Sequence, residues 1–327
     1  MPEHASPRIA IIGAGMAGLT CAHQLRQQGW SPVIFEKSRG IGGRLATRRT
    51  DSGDSYDHGA QFVTARDPAF VDLLETLQHS GAAAAWAPRL PVDAPRPAHT
   101  WWIGTSGMSA LLKPLAASLD VRLRATVSAL RRHAGRWELR LAEQELVEHF
   151  DAVVITAPAL QARALLTAVS SLADALGSVG IAPCWAAMIA FDAPWDVPFE
   201  AARFDAGPIA WITRESSRAG LVGRRDRWLV HAAPYWSDAH LERAPEDILA
   251  LMQAALAESA GVALPPLAFA QAHRWRYAMT TRPLGQPFLA DASERLWVGG
   301  DWCLGARVES AFLSGAAMAQ AIAADLC

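Results

Sequence analysis

A chain of 327 residues is long enough for two domains, or for one domain carrying a large insertion. Its formal net charge of −2 gives no broad electrostatic reason to bind nucleic acid or anionic lipid. No apolar run reaches the roughly 18 residues of a spanning helix, so a cytoplasmic protein with no membrane partner is expected. The four cysteines, Cys21, Cys184, Cys303 and Cys327, have neither metal-ligand nor Cys-x-x-Cys spacing, which argues against a bound metal or a dithiol couple. Basic charge is almost all arginine; Lys37 and Lys113 are the only lysines.

The apolar run Ile9 to Ile12 enters a glycine turn, Gly13-Ala14-Gly15-Met16-Ala17-Gly18, and then a helical spacing through Leu19 and Leu25. Gly13 allows a tight turn, Gly15 lets backbone approach a pyrophosphate, and Gly18 lets the helix pack close to the sheet. Phosphates are then expected at the positive end of that helix. Eighteen positions after Gly18, the run Val33-Ile-Phe ends in Glu36, close to the offset of the acid that takes a ribose hydroxyl. Directly after it, Gly42-Gly43-Arg44 offers close backbone approach and a guanidinium fork for phosphate oxygens, which favours a flavin over a nicotinamide dinucleotide.

Further along, Pro68 to His79 reads as a helix with Phe70, Val71, Leu74 and Leu77 on one face, and Ala82 to His99 as a loop. Gly107 to Ala116 reads as a helix. Val121 to Val127 and Arg136 to Leu141 alternate as strands around a turn at Ala134-Gly135. Asp151 to Ala157 has the continuous apolar character of a buried parallel strand. From about Gln161 to Ala272, tryptophans accompany alternating segments such as Arg227-Trp-Leu-Val-His231, giving a mostly antiparallel sheet with a helix over Pro245 to Ala260. Leu296 to Val298 is again a strand, delivering Gly299-Gly300-Asp301 to the carboxyl end of a sheet, where open α/β folds bind ligands. A helix from Val308 through Ile322 would present its N-terminus to the edge of an isoalloxazine.

Asp57-His-Gly-Ala-Gln61-Phe, Val153-Val-Ile-Thr-Ala-Pro158, His273-Arg-Trp-Arg-Tyr277, Gly299-Gly-Asp301 and Val308-Glu-Ser-Ala-Phe-Leu-Ser-Gly315 together resemble the flavin-containing amine oxidase superfamily, and within it the bacterial renalase branch. The resemblance covers essentially the whole chain and is strongest at the two ends. It implies an α/β fold: a discontinuous FAD-binding Rossmann-like domain (residues 1–78, 100–160 and 273–327) with an inserted mixed α+β substrate domain (79–99 and 161–272) containing an antiparallel sheet. The implied cofactor contacts are Gly13, Ala14, Gly15, Met16, Ala17, Gly18, Glu36, Lys37, Gly42, Gly43, Arg44, His58, Gly59, Ala60, Gln61, Phe62, Val127, Gly300, Asp301, Arg307, Val308 and Ser310. Cys303 does not occupy the place of a linking cysteine, so the FAD is expected to be non-covalent.

A single dinucleotide fingerprint without a dithiol argues against disulfide reductases, so electrons come directly from a bound substrate, with dioxygen the simplest acceptor. Neither lysine sits where many amine oxidases carry a substrate-domain lysine. The renalase resemblance instead implies oxidation of 2- or 6-dihydro-NAD(P) to NAD(P)+, with hydrogen peroxide formed on reoxidation. Such a hydride transfer yields an aromatic product and asks chiefly for positioning. His231 and Trp275 match the renalase pattern for that task, with Trp211, Arg276 and Tyr277 as further candidates. From the residues alone, His231 is equally an interior histidine ending an apolar strand, and Trp275 has a core alternative among the 13 tryptophans, with the functional reading favoured. Two alternatives stand beside this reading: an amine oxidase or desaturase with a hydrophobic substrate, and a nucleotide-binding protein without turnover.

Overall fold

A computed structural model describes residues 7–143, 147–218 and 225–326. The chain divides into two compact units, one of residues 1–43, 112–180 and 280–327, the other of 44–111 and 181–279. Cys327 lies outside the described residues. Among the described residues no helix is long and apolar enough to cross a membrane.

The first unit is built on a six-stranded mixed sheet in the order Phe288–Asp291, Leu296–Gly299, Ala152–Ile155, Ile9–Ile12, Val33–Glu36, Asp120–Leu123. All neighbours run parallel except Phe288–Asp291, which is antiparallel at one edge. The central strands Ile9–Ile12 and Ala152–Ile155 are buried along their whole length, which is why they read as continuous apolar runs rather than as alternating ones. The helices Met16–Gln27 and Val308–Leu326 pack on one another with a close backbone approach: a side chain at Gly315 would run into the carbonyl of Ala17.

A separate three-stranded sheet, Val147–Phe150, Arg136–Leu141 and Val127–His133, belongs to the same unit. Its hairpin closes through Ala134 and Gly135, both at positive φ (48° and 77°), the two-residue turn whose twist suits antiparallel strands. The expected single strand Val121 to Val127 is broken. Arg124 adopts φ 56°, and the amides of Arg124 and Ala125 bond the carbonyls of Ser38 and Glu36, which carries the chain from one sheet to the other.

The second unit holds a five-stranded sheet, ordered Ala201–Arg203, Ile209–Arg214, Asp226–Ala232, Gly180–Phe191, Leu267–Arg282. One face carries Ala187, Ile189, Phe191, Ile212, Trp228 and Val230 against Ile248, Met252 and Leu256 of the helix Pro245–Ala260. Trp195 and Trp228 meet edge to face there, ring centroids 4.9 Å apart, and both are fully buried. Several tryptophans of the Trp-rich middle segment are therefore core. The opposite face carries Ala186, Met188 and Leu229, covered by Tyr56, Phe269 and Trp275.

Two local expectations change. Ala83–Trp86, inside the expected loop, is a strand paired antiparallel with Trp101–Gly104, because cross-strand pairing outweighs the weak strand preference of alanine. Gly107 to Ala116 is not one helix but a 3-10 turn, Met108–Leu112, followed by a short helix, Lys113–Ala116. The amide of Met108 is given to Asp57 Oδ1, and Pro114 has no N–H to continue a helical ladder. By contrast Pro68–His79 forms as expected, with Asp67 capping it through the amide of Ala69 at 2.9 Å. Replacing Trp228 by alanine should lower the unfolding free energy by about 3–5 kcal/mol, read as a fall in the urea midpoint.

Candidate functional site

The first unit contains a cradle shaped for a dinucleotide. Gly13, at φ 113°, closes the strand Ile9–Ile12, its amide bonding the carbonyl of Phe35 at 2.9 Å. A side chain at Gly18 would strike the carbonyl of Gly13, so both glycines are required by the protein's own packing. Gly15 differs: a Cβ there would meet no protein atom within 4 Å, so the space beside it is open to a bound group. The helix Met16–Gln27 starts at Gly15 with no side-chain cap and no acid in its first turn, leaving its amide groups and partial positive charge available to an anion. Ala14, Met16 and Ala17 are buried beside them.

Glu36 is buried at the end of its strand, accepting from the amides of Ala14 (2.9 Å) and Ser38 (2.8 Å). Both amides orient its carboxylate, and the Ala14 bond ties it to the glycine turn. Gly42 donates its amide to the carbonyl of Ala14 at 3.0 Å, and Gly43 lies at φ 53° beside Gly15. Lys37 is exposed and donates to Gln161 Oε1, away from the turn. Val127 is buried in the three-stranded sheet.

At the other end of the chain, Gly300 donates its amide to Ser314 Oγ at 2.9 Å, and Asp301 is buried, with Thr280 Oγ1 donating to its Oδ2 at 3.4 Å. The helix begins at Val308, as expected, and Ser310 is buried in its first turn. The same turn contains the buried acid Glu309, which offsets the helix's positive end; Arg307 forms an ion pair with it. Burial pushes the Cys303 thiol up to about 12.

In the second unit, Arg44 commits part of its guanidinium to the carbonyl of Ala278 at 3.2 Å. The carbonyl of Arg44 takes the amide of Ala60 at 2.9 Å, and a side chain at Gly59 would collide with that carbonyl. Gln61 Nε2 donates to the carbonyl of Gly59 and lies 3.0 Å from His231 Nε2. The carbonyl of His58 accepts from Trp275 Nε1 at 2.8 Å and stands 3.1 Å from His231 Nε2. The rings of His58, His273 and Trp275 form a cluster, with centroids 4.5 to 4.9 Å apart. His231 pairs across the sheet with Trp211, which packs against Phe62 and Trp101; the last two stack at 4.1 Å.

Strand alternation separates the remaining candidates. His273, Trp275 and Tyr277 share one face of the strand Leu267–Arg282, whereas Arg276 is turned to the other, where it and Arg274 grip Glu242. Arg276 therefore does not join His231 and Trp275. His273, Trp86 and Trp101 do belong to these aromatic groups, and no single-residue signal in the sequence marked them. The period-two spacing of His273 and Trp275 was the available clue for the first.

Burial holds the histidines neutral. The His231 imidazole is lowered to about 4 by desolvation, and His58 to about 3 by desolvation, with further lowering from His273, Arg48 and His231. His273 is lowered in the same way, by burial and by Arg48.

Comparison with known proteins places this architecture. Residues 85–323 match the family described as flavin containing amine oxidoreductase, and residues 11–77 match the NAD(P)-binding Rossmann-like domain. The chain belongs to the flavin containing amine oxidoreductase family. Renalase from Mus musculus is 23% identical over 295 residues, covering 84% of this chain and 85% of that protein. A 15-cis-phytoene desaturase from Synechococcus elongatus is 36% identical over 70 residues, 21% of this chain and only 15% of the desaturase. Among solved structures, a putative protoporphyrinogen oxidase from Exiguobacterium sp. 255-15 superposes with TM-score 0.78 at 14% identity (97% and 99% coverage). Cyclohexylamine oxidase from Brevibacterium oxydans superposes with TM-score 0.74 at 13% identity (98% and 100%). These likenesses show the fold.

As a member of this family the protein is an FAD-dependent oxidoreductase. The cradle fits that cofactor on its own terms, through the open space at Gly15, the uncapped helix and the oriented Glu36 carboxylate. Among the described residues no three His, Cys, Asp or Glu side chains are grouped to hold a metal.

Two outcomes follow. Gly15→Val should leave the fold intact, since a Cβ there meets no protein atom within 4 Å, yet strip the protein of FAD. Circular dichroism should be native and the flavin absorbance per chain should fall by about tenfold or more. The histidines make stability pH-dependent. Unfolded, they take up a proton near pH 6.5, whereas folded His231 and His58 do so only near 4 and 3. The unfolded chain binds more protons in that window, so stability is lost as the pH falls from about 6.5 toward 4. His231→Gln should make Tm less sensitive to acid than in the wild type between about pH 7 and pH 5, and an unchanged pH dependence in the variant would contradict the assignment.

Proposed function

We propose that this oxidoreductase is a renalase-like oxidase that converts isomeric dihydronicotinamides, the 2- or 6-dihydro forms of NAD(P), to NAD(P)+. The observation that carries the reading is the neutral group His58, His231, His273 and Trp275 in a unit whose residues, 44–111 and 181–279, include no lysine. The similarity to renalase along most of both chains supports it. Bound, non-covalent FAD supplies the two-electron acceptor and, with dioxygen, the route to hydrogen peroxide. High Cys303 basicity and burial support non-covalent attachment.

In this reading Gly13 to Gly18, Glu36, Gly42 and Gly43 hold the dinucleotide, and the inserted unit binds substrate. Trp275 and Trp211, with Phe62 beside Trp211, give a flat ring aromatic surface to lie on. Oxidation of a dihydropyridine develops positive charge on the ring. Neutral imidazoles do not oppose that charge, and indole faces favour it. Gln61 and the His58 carbonyl fix the His231 ring, so the residues orient the substrate instead of exchanging protons with it.

Anaerobic mixing with an isomeric dihydronicotinamide should bleach the flavin within one turnover, and Trp275→Ala should slow bleaching by about a hundredfold. Bleaching by primary amines and by neither dihydronicotinamide isomer would assign the protein to amine oxidation instead.

A further inference from the structure

Next to the His58 carbonyl lies a charged cluster that plays no direct part in the reading above. Asp57 Oδ1 accepts from Thr47 Oγ1 at 2.6 Å and from the amide of Met108 at 2.8 Å. Its Oδ2 is 2.8 Å from Arg218 Nη2. The Asp57 amide donates to Glu215 Oε2 at 2.8 Å, and Arg218 Nη1 donates to Glu215 Oε1 at 3.0 Å. The three residues thus close a ring of contacts, and the side chains of Asp57 and Arg218 are wholly inaccessible, as is Glu215.

This ring ties together three separate parts of the chain. Asp57 follows the short strand Ser55–Tyr56, Met108 opens a 3-10 turn, and Glu215 and Arg218 come from the loop after Ile209–Arg214. The next peptide along from Asp57 carries the carbonyl that takes the Trp275 indole N–H and faces His231. Beyond it, Gly59 and Ala60 rest on the Arg44 carbonyl. The His58 carbonyl is therefore aimed from both sides, and its aim sets the tilt of two rings at once.

We propose that Asp57, Glu215 and Arg218 are positioning residues of the oxidase: through the His58 peptide they hold the Trp275 indole and the His231 imidazole in the orientation that receives the substrate ring. The substrate half of this statement rests on the function proposed above; the orientation half does not. Only an arginine fork can reach both carboxylates at once, so a lysine of equal charge is not equivalent. A buried pair that loses one partner leaves its mate uncompensated, so the network responds to small changes.

Protonation is one such change. Burial raises the Asp57 carboxyl above its ordinary range; Arg218 lowers it, Glu215 raises it, and the bonds from Thr47 and Met108 lower it. The other charged or titratable groups around it are Asp54 and Tyr56 on its own segment, with Arg225 and Arg227 facing Asp54, and His58, His231 and His273 on the far side of the next peptide. His58 and His231 stay neutral down to about 3 and 4, and burial and Arg48 lower His273 as well, so an acid decline that disappears in Asp57→Asn belongs to Asp57.

The test uses holoenzyme and two variants, Asp57→Asn and Arg218→Lys, with two readouts. The first is the indole N–H resonance of Trp275 in the resting enzyme, assigned by its loss in Trp275→Phe. Both variants should move it. The second is the rate of anaerobic bleaching by a dihydronicotinamide, which should fall by about ten- to a hundredfold in both variants. In the wild type that rate should also decline below neutrality as Asp57 takes up a proton and releases Arg218; Asp57→Asn should be slow without that decline. An unmoved resonance, wild-type bleaching rates in the variants, or an acid decline retained in Asp57→Asn would each overturn the proposal. If dihydronicotinamides fail to bleach even the wild type, the substrate reading falls, and the Trp275 resonance alone decides the orientation claim.

Discussion

Backbone approaching backbone, with no Cβ between, is the constraint on which the nucleotide half of this protein depends. Gly18 lies against the Gly13 carbonyl and Gly315 against the Ala17 carbonyl, so the helix Met16–Gln27 is pressed on one side to the strand end and on another to Val308–Leu326. Larger residues at either place would push the helix outward, and its uncapped N-terminus would no longer be held over the turn. The Gly42 amide reaches the carbonyl of Ala14 and the Glu36 carboxylate takes the Ala14 amide, so the buried acid and the uncapped helix end are fixed relative to each other through the same turn.

The second unit solves a different problem. Its sheet has one face that is pure core, filled by Trp228, Phe191 and the helix Pro245–Ala260. The other face bears polar and aromatic groups whose partners come from the 44–62 segment, and this is where His231, Trp211 and Trp275 find their neighbours. A buried arginine between two carboxylates is costly to desolvate, and it is tolerated here with both carboxylates held by main-chain and hydroxyl donors and the arginine paired to each of them. Burial in the same region keeps the histidines uncharged.

Where local pattern and tertiary pairing agreed, the elements were legible residue by residue. Pro68–His79 and Pro245–Ala260 have proline at their starts and a clear apolar stripe, and the two-residue turn at Ala134-Gly135 is as expected. Where they disagreed, long-range bonding won. Ala83–Trp86 became a strand because Trp101–Gly104 lies beside it, Gly107 to Ala116 broke because Asp57 takes the Met108 amide, and Arg124 turned left-handed between two sheets.

The sequence by itself determined the family and the elements at its two ends: the glycine turn, Glu36 at the end of its strand, Asp301 after its strand and the helix from Val308 are short, contiguous stretches of backbone, so spacing alone encodes them. Only the tertiary structure decided which aromatic and charged side chains of the inserted unit work together. Arg276 stands next to Trp275 in the chain yet points the other way to Glu242, while Asp57, Glu215 and Arg218, up to 161 positions apart, form one buried ring. That assignment depends on strand face and on contacts between distant segments, and no local pattern carries either.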